Sequence, residues 1–251
     1  MIGSTGTIRD MAEQADAVPG RRFDAVVFDF GGVLISPITT RLAALAEHHG
    51  IGTVEMLEML MGPRYVSTAD HPWHRAERGE VSANELQGLL EPLAEAAGVA
   101  LRGDEMEILF DRSYRYNQAI LDRVRALRQE GYRTALLTNS VREFQEVLKE
   151  EISGDLFDEI VDSSEVGMRK PEPEIYRVVI DRLGVDPRRT VYLDDFEHNL
   201  GPAREVGWTV VHVTDPEQAL ACLDELLTGT DSLPSGEILP SVAGQMTEAD
   251  R

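Results

Sequence analysis

The sequence predicts an α/β protein built on a doubly wound parallel sheet, with an all-helical domain inserted after the first strand. Between the two ends of the chain, short β-type runs alternate with amphipathic segments, and three of the runs are almost wholly apolar in the middle. Apolar runs of this kind are typical of parallel strands that helices cover on both faces. The alternation therefore predicts one sheet with helices packed on both sides.

The predicted strands share short runs rich in apolar and β-branched residues, at 24–29, 133–138, 159–162, 190–194 and 208–213. The segments that join or follow them share amphipathic spacing, at 116–130, 141–150, 173–183, 198–206 and 216–227. Ser140 and Glu143 have the spacing of a capping box at the start of the second segment. Asp215 stands before a proline at a first helical position, and Pro173 can likewise open a helix.

One long stretch, from about 38 to 116, shows helical periodicity and no strand. Ser82 and Glu85 form a second capping box, which opens a predicted helix over 83–97. An all-helical insert at this place predicts a cap over the end of the sheet. The predicted divisions are an N-terminal tail (1–21), a core (22–37 and 117–228), a cap (38–116) and a C-terminal tail (229–251).

The chain is strongly acidic, with 45 Asp and Glu against 24 Lys and Arg and a net charge of −21. Such a surface repels nucleic acid and anionic lipid, so we expect neither as a partner. It also repels a free phosphate ester. A site for such a ligand must therefore carry its own local cations.

The sequence says less about where the protein is located in the cell and whether it forms oligomers. The single cysteine, Cys222, excludes an internal disulfide and lies in an apolar run, where a buried structural thiol is expected. The apolar runs are too short to span a bilayer, and the N-terminus lacks a charged-then-apolar signal pattern. These features predict a cytoplasmic protein, and they leave monomer and homodimer open.

Polar and charged side chains follow the predicted strands: Asp29, Thr138, Asn139, Asp194 and Asp195, with Lys170 in the loop after the third strand. In a doubly wound sheet, ligands bind beyond the carboxyl ends of the strands. Buried separately these charges would be costly, but together they form a coherent site. Asp29, Asp195 and the carbonyl of Gly31 offer the hard oxygens that Mg²⁺ prefers. Lys170 and Thr138 could then hold phosphate oxygens.

Simpler structural interpretations exist for each residue. Asp29 could be a turn residue at a strand end, Thr138 a helix-capping hydroxyl, and Lys170 a solvated loop lysine. Adjacent carboxylates at 194 and 195 would repel each other without a cation. The functional interpretation is preferred because all these positions converge on one edge. Asp29-Phe30-Gly31 also spells the kinase magnesium motif, but the chain has no HRD loop or N-terminal lobe.

The motifs around these residues resemble the haloacid dehalogenase-like (HAD) superfamily with a helical cap. FDFGGVL, LLTNS, GMRKPEPEIY and VYLDDFEHNLGPAREVG are similar to its four motifs in their expected order, over roughly residues 23–228. More narrowly, the chain resembles the phosphatase domain of soluble epoxide hydrolase and bacterial sugar-1-phosphate phosphatases. The resemblance implies a Rossmann-like core with strand order 3-2-1-4-5 or close to it.

The resemblance also implies roles for individual residues. Asp29 is the expected nucleophile, forming an aspartyl-phosphate, and Thr138 and Lys170 are expected to hold the transferring phosphoryl group. Asp195 is expected to bind Mg²⁺ directly, with Asp194 in support. Asn139 is expected close to the phosphate or the leaving group. In the cap, Trp73, His74 and Arg78 are candidates for substrate contact, although His71 and His74 also suit ordinary cap positions.

The chain departs from the family pattern at Gly31, where most HAD phosphatases carry a second aspartate as general acid and base. The lost proton shuttle typically contributes about 10²–10⁴ in rate. A cap residue or water could replace it, the leaving group could need little help, or catalysis could have lapsed. We prefer a good leaving group, such as an anomeric or acyl phosphate.

The predicted function is therefore magnesium-dependent hydrolysis of a small phosphorylated metabolite, for example a sugar phosphate. Two alternatives stay open. One is a haloacid dehalogenase-type hydrolase, against which the paired acids Asp194 and Asp195 argue. The other is a catalytically weak module that binds phosphate ligands.

Overall fold

The computed structural model describes residues 20–62, 71–102, 105, 113–152, 154 and 156–229. One parallel sheet has the strand order β3-β2-β1-β4-β5. Its strands are β1 (Ala25–Phe28), β2 (Arg133–Thr138), β3 (Glu159–Asp162), β4 (Thr190–Asp194) and β5 (Thr209–His212). Each predicted run contains one of these strands, so the predicted fold class and strand order are confirmed.

The central strand aligns the ends of its neighbours. β1 is fully buried and pairs with β2 on one side and β4 on the other. Phe28 lies opposite both Leu136 and Leu193, and the N–H of Asp29 donates to the Leu193 carbonyl at 2.9 Å. The residues that follow β1 and β4 are thereby brought to the same end of the sheet, where the strands terminate. This end is the carboxyl edge, and the end where the strands begin is the amino edge.

Among the described residues, four helices lie between β1 and the rest of the core: α1 (Ile38–His49), α2 (Thr53–Met61), α3 (Pro72–Glu77) and α4 (Ala83–Ala96). They bury a hydrophobic cluster of their own, apart from the two clusters that cover the faces of the sheet. These helices lie in the stretch for which the sequence predicts a helical cap. Parts of the predicted cap and nearly all of both predicted tails lie outside the described residues, so the domain limits stay predictions.

The helices of the core are α5 (Gln118–Gln129), α6 (Gln145–Glu151), α7 (Ser163–Val166), α8 (Pro173–Leu183), α9 (Glu197–Glu205) and α10 (Pro216–Thr228). Short 3₁₀ turns at Arg142–Phe144 and Pro187–Arg189 precede α6 and β4. Within the described ranges, no helix combines the length and the apolar character that a membrane crossing requires.

Most of the predicted helix starts are confirmed. Ser82 and Glu85 form a complete capping box on α4, and Asp215 accepts a hydrogen bond from Gln218 N at 2.9 Å. The capping box predicted at Ser140 and Glu143 is wrong. The Glu143 carboxylate instead accepts from the N–H of Ala83 at 2.8 Å, at the start of a cap helix. A tertiary partner has replaced the local one, which the spacing in the sequence could not show.

Candidate active site

The predicted nucleophile and the predicted lysine form a buried ion pair at the carboxyl edge of the sheet. Lys170 Nζ lies 2.6 Å from Asp29 Oδ1 and 2.8 Å from Asp194 Oδ2. The side chains of all three are at most 8% exposed. One ammonium is thus shared by two carboxylates that come from neighbouring strands.

Asp194 is held from several directions by protein donors. Its Oδ1 accepts from Phe196 N at 2.7 Å, and both oxygens accept from Asn199 Nδ2 at 3.0 and 3.1 Å. The Tyr192 hydroxyl donates to its Oδ2. Because these bonds orient Asp194, and Asp194 contacts Lys170, this carboxylate anchors the lysine as well as lying near the possible cation.

Asp195 completes a cluster of three carboxylates. One oxygen each from Asp29, Asp194 and Asp195 lies within 4.8 Å of the other two. The Asp195 carboxylate lies against the backbone of Gly32, where an added Cβ would come within 2.1 Å of Asp195 Oδ2. Gly32 also has φ +75°, so glycine is required there for two reasons. Hard, partly buried oxygen donors with surplus negative charge fit Mg²⁺.

Burial and charge oppose each other at this cluster. Burial, reinforced by Asp194, raises the pKa of Asp29 to about 7 despite the lowering effect of Lys170. Burial lowers the pKa of Lys170, but Asp194 and Asp29 outweigh it, and the net direction is upward. A divalent cation beside Asp29 would favour its ionised form.

Asn139 and Thr138 both follow β2 into the site. The Asn139 side chain pairs with the backbone of Lys170: its Nδ2 donates to the Lys170 carbonyl at 2.9 Å, and its Oδ1 accepts from Lys170 N at 2.8 Å. The Asn139 amide therefore holds the lysine in place. Thr138 is 3% exposed, and its hydroxyl makes only a long contact of 3.4 Å with the Asn139 carbonyl.

A cavity of about 140 Å³ opens onto these residues. Asp29, Gly31, Thr138, Asn139 and Lys170 form its polar floor. Much of its wall is apolar, and includes Ile35, Ile38, Met61, Trp73, Val141 and Phe144. The helices at 38–96 and the core together line a space beside Asp29 that has room for an organic group.

The three predicted cap contacts have different surroundings. Trp73 lines the cavity, but His74 and Arg78 are not among the residues that line it. His74 is fully buried, and its ring lies 5.3 Å from that of His71. Burial and His74 lower the pKa of His71 to about 4. Arg78 is paired with Glu172 of the core.

Several residues of the site were missed from the sequence. Tyr192 and Asn199 orient Asp194, and Glu77 lines the cavity while pairing with Arg169. A weak signal existed for Tyr192, whose hydroxyl interrupts an otherwise apolar strand. None existed for Glu77, because its partner is 92 residues away.

Comparison with known families gives a match over residues 23–207 to the haloacid dehalogenase-like hydrolases. The chain belongs to this family. It is therefore an enzyme of the hydrolase class, and the resemblance in its four motifs is confirmed.

Two relatives show the range of this hydrolase's similarity. Bifunctional epoxide hydrolase 2 of Rattus norvegicus is 29% identical over 217 residues, covering 81% of this chain. The chain spans only 38% of that relative. Sesquiterpene phosphatase astK of Aspergillus oryzae is 27% identical over 199 residues, covering 77% of this chain and 91% of the relative.

Among solved structures, the hydrolase resembles a HAD family enzyme from Bacteroides thetaiotaomicron in complex with magnesium and inorganic phosphate. The TM-score is 0.53 at 22% identity, covering 76% of this chain and 93% of that one. At this level of identity the likeness supports the shared fold.

Proposed function

We propose that this hydrolase cleaves phosphate monoesters through an aspartyl-phosphate on Asp29 and requires Mg²⁺. The observation that carries the proposal is the pairing of Asp29 with Lys170 at 2.6 Å on the floor of a cavity, inside a cluster of three carboxylates. Sesquiterpene phosphatase astK and the magnesium–phosphate complex of the Bacteroides enzyme are consistent with it.

The chain's own residues account for the bonds made and broken at phosphorus, while solvent water protonates the leaving alkoxide and takes the proton of the attacking water. A carboxylate oxygen of Asp29 bonds to phosphorus as the ester P–O bond breaks and the alcohol oxygen leaves. Lys170 and Thr138 stabilise the negative charge on the transferring oxygens. Water then attacks phosphorus, releasing inorganic phosphate and restoring the Asp29 carboxylate. Asp29, Asp195 and the Gly31 carbonyl would hold Mg²⁺, which would neutralise charge on the phosphoryl group.

The cavity wall refines the substrate class. The sequence suggested a sugar phosphate, but a hydroxyl-rich sugar would leave many of its polar groups facing apolar side chains. A phosphate ester with an apolar organic group fits the wall formed by Ile38, Met61 and Phe144 better. We therefore propose an apolar phosphate ester as the substrate.

The proposed activity has a direct test. We expect the protein to hydrolyse p-nitrophenyl phosphate with Mg²⁺, to lose this activity in EDTA, and to lose it in Asp29→Asn. Asp24→Asn, at the other edge of the sheet, is the control and should keep its turnover. Halide release from 2-chloropropionate in EDTA would instead support a dehalogenase. Equal rates for wild type and Asp29→Asn would support a binding module.

Gly31 allows the leaving-group hypothesis to be tested separately. A Cβ at this position would meet no atom within 4 Å, so an aspartate can be introduced without a steric clash at its Cβ. If the missing acid limits the reaction, Gly31→Asp should accelerate hydrolysis of alkyl phosphates by up to about 10²-fold. The rate of hydrolysis of aryl phosphates should change little, because an aryloxide is already a good leaving group. Equal effects on both classes would contradict the hypothesis.

A further inference from the structure

Two ion pairs join the cap to the loop that carries Lys170. Arg169 Nε donates to Glu77 Oε2 at 2.5 Å, and their side chains are 3% and 5% exposed. Arg78, the next residue after Glu77, pairs through its Nε with Glu172 at 2.8 Å. Arg169 and Glu172 lie on either side of Lys170 in the sequence, so the C-terminal end of α3 forms ion pairs with the loop on both sides of the lysine.

Hydrogen bonds also fix the backbone of this loop. Glu172 Oε2 also accepts from the N–H of Arg169 at 3.0 Å, and Glu172 N donates to the Arg169 carbonyl at 2.8 Å. From the opposite side, Asn139 holds the backbone of Lys170. The loop is therefore held by two hydrogen bonds from Asn139 of the core to its backbone and by two ion pairs from the cap.

The same helix forms part of the cavity wall. Trp73 Nε1 donates to Glu77 Oε1 at 2.8 Å, and both residues line the cavity. The turn after α3 lies directly on the core, since a Cβ at Gly79 would come within 2.4 Å of the Ser164 carbonyl oxygen. A group that contacts Trp73 thus contacts a residue bonded to Glu77, and Glu77 is in turn bonded to Arg169 of the Lys170 loop.

Stability alone is a weak explanation for such a pair. Replacing a buried ion pair by apolar side chains of similar size is often neutral or stabilising. Placement of a neighbouring catalytic group is a stronger one, because a shift of 1 Å in such a group can cost about 10²-fold in rate.

We propose that Glu77 and Arg169 are positioning residues, which link contact between the substrate's organic group and α3 to the placement of Lys170 beside Asp29. The proposal rests on the phosphohydrolase function argued above. If it is correct, turnover depends on contacts made by the cap as well as on the residues at the carboxyl edge.

The first test removes both charges at once, because a single substitution would leave a buried lone charge and could unfold the protein. In Glu77→Gln/Arg169→Met, kcat should fall by about 10²-fold with p-nitrophenyl phosphate. KM should change much less. The control is Asp24→Asn/Arg189→Met, which removes a more exposed Arg–Asp ion pair at the other edge of the sheet and should keep its kcat. Thermal unfolding of both variants establishes that they are folded.

The second readout follows Trp73 directly. Trp208→Phe leaves Trp73 as the one remaining tryptophan of the chain. Adding inorganic phosphate with Mg²⁺ should change its fluorescence, and this change should be lost when the Glu77→Gln/Arg169→Met pair is added.

The outcomes separate the proposals. A folded double variant with wild-type kcat overturns the positioning role. A loss confined to poor leaving groups would overturn it too, by making Glu77 a proton donor. A wild type inactive on every phosphate ester would sink the proposed function. The positioning role would then stand if the phosphate-induced fluorescence change is lost in the double variant, and fall if that change persists.

Discussion

The two edges of the sheet carry the same kinds of charge, partly exposed at the amino edge and buried at the carboxyl edge, and they balance these charges differently. At the amino edge, Arg189 pairs with Asp24 through two hydrogen bonds, Nε to Oδ2 at 2.5 Å and Nη2 to Oδ1 at 2.8 Å. In this pair, one guanidinium is matched to one carboxylate. At the carboxyl edge, Lys170 pairs with both Asp29 and Asp194, and Asp195 adds a third carboxylate to the cluster.

The difference teaches where an external cation is needed. The Asp24–Arg189 pair is complete in geometry and charge, so it needs no ligand. The carboxyl edge has surplus negative charge in a largely buried place, which is costly unless it is neutralised. The balance of charges, more than the presence of a buried ion pair, therefore distinguishes the candidate site from a structural contact.

The largest expected effect compares the two cations. Lys170→Met should reduce kcat/KM for p-nitrophenyl phosphate by about 10³-fold, because it removes a donor to the transferring phosphoryl group. Arg189→Met should leave kcat/KM unchanged and lower the melting temperature. Similar losses of activity in both variants would break the comparison between the edges.

The second-largest expected effect is stabilisation by Mg²⁺, which should depend on the carboxyl edge and not on the amino edge. Mg²⁺ at 100 times its dissociation constant should stabilise the wild type by about 2.7 kcal/mol. For a chain of this size, this raises the melting temperature by roughly 5–10 °C. Asp195→Asn should lose most of the shift and Asp24→Asn should keep it. A wild type that Mg²⁺ does not stabilise would count against the metal site.

Asn139 sharpens the comparison within the carboxyl edge. Asn139→Ala removes two hydrogen bonds to the Lys170 backbone, each worth about 1 kcal/mol. Steady-state kinetics should show kcat lower by roughly 10- to 30-fold, with KM little changed. A rise in KM at constant kcat would instead make Asn139 a substrate contact, as the sequence suggested.

The smallest effect is expected at the amino edge. Asp24→Asn should lower the free energy of unfolding by about 1–2 kcal/mol, because the pair is partly exposed and water screens the charge left behind. Urea denaturation measures this loss, and kcat measured on the same preparation should be that of the wild type. A fall in kcat would show that the amino edge also contributes to the reaction.

Much of the fold was predictable because its signals are local. Apolar runs in an α/β alternation indicated every strand, and Ser82, Asp215 and Pro173 marked helix starts that the structure confirms. These local signals failed where a distant partner competed with the local one. Glu143 was predicted to cap the helix that follows Ser140, but its carboxylate binds the N–H of Ala83 at the start of α4.

The carboxyl-edge cluster was predictable for a topological reason. Parallel strands in register bring their ends together, so Asp29, Thr138 and Asp194 had to meet once the strands were recognised. The positions of the cap contacts did not follow in this way. His74 and Arg78 do not line the cavity, and Glu77 does.

The order of residues along the strands was thus enough to place Asp29, Lys170 and the paired acids at one edge of the sheet. The folded chain alone decided which cap residues face the cavity, that Asn139 binds the Lys170 backbone, and that Glu77 reaches Arg169. The physical reason is the kind of contact and not the distance along the chain, since Asp29 and Lys170 are 141 positions apart and were still placed together. Strand ends are aligned by regular backbone pairing, whereas the side-chain contacts of Asn139 and Glu77 depend on how whole helices pack.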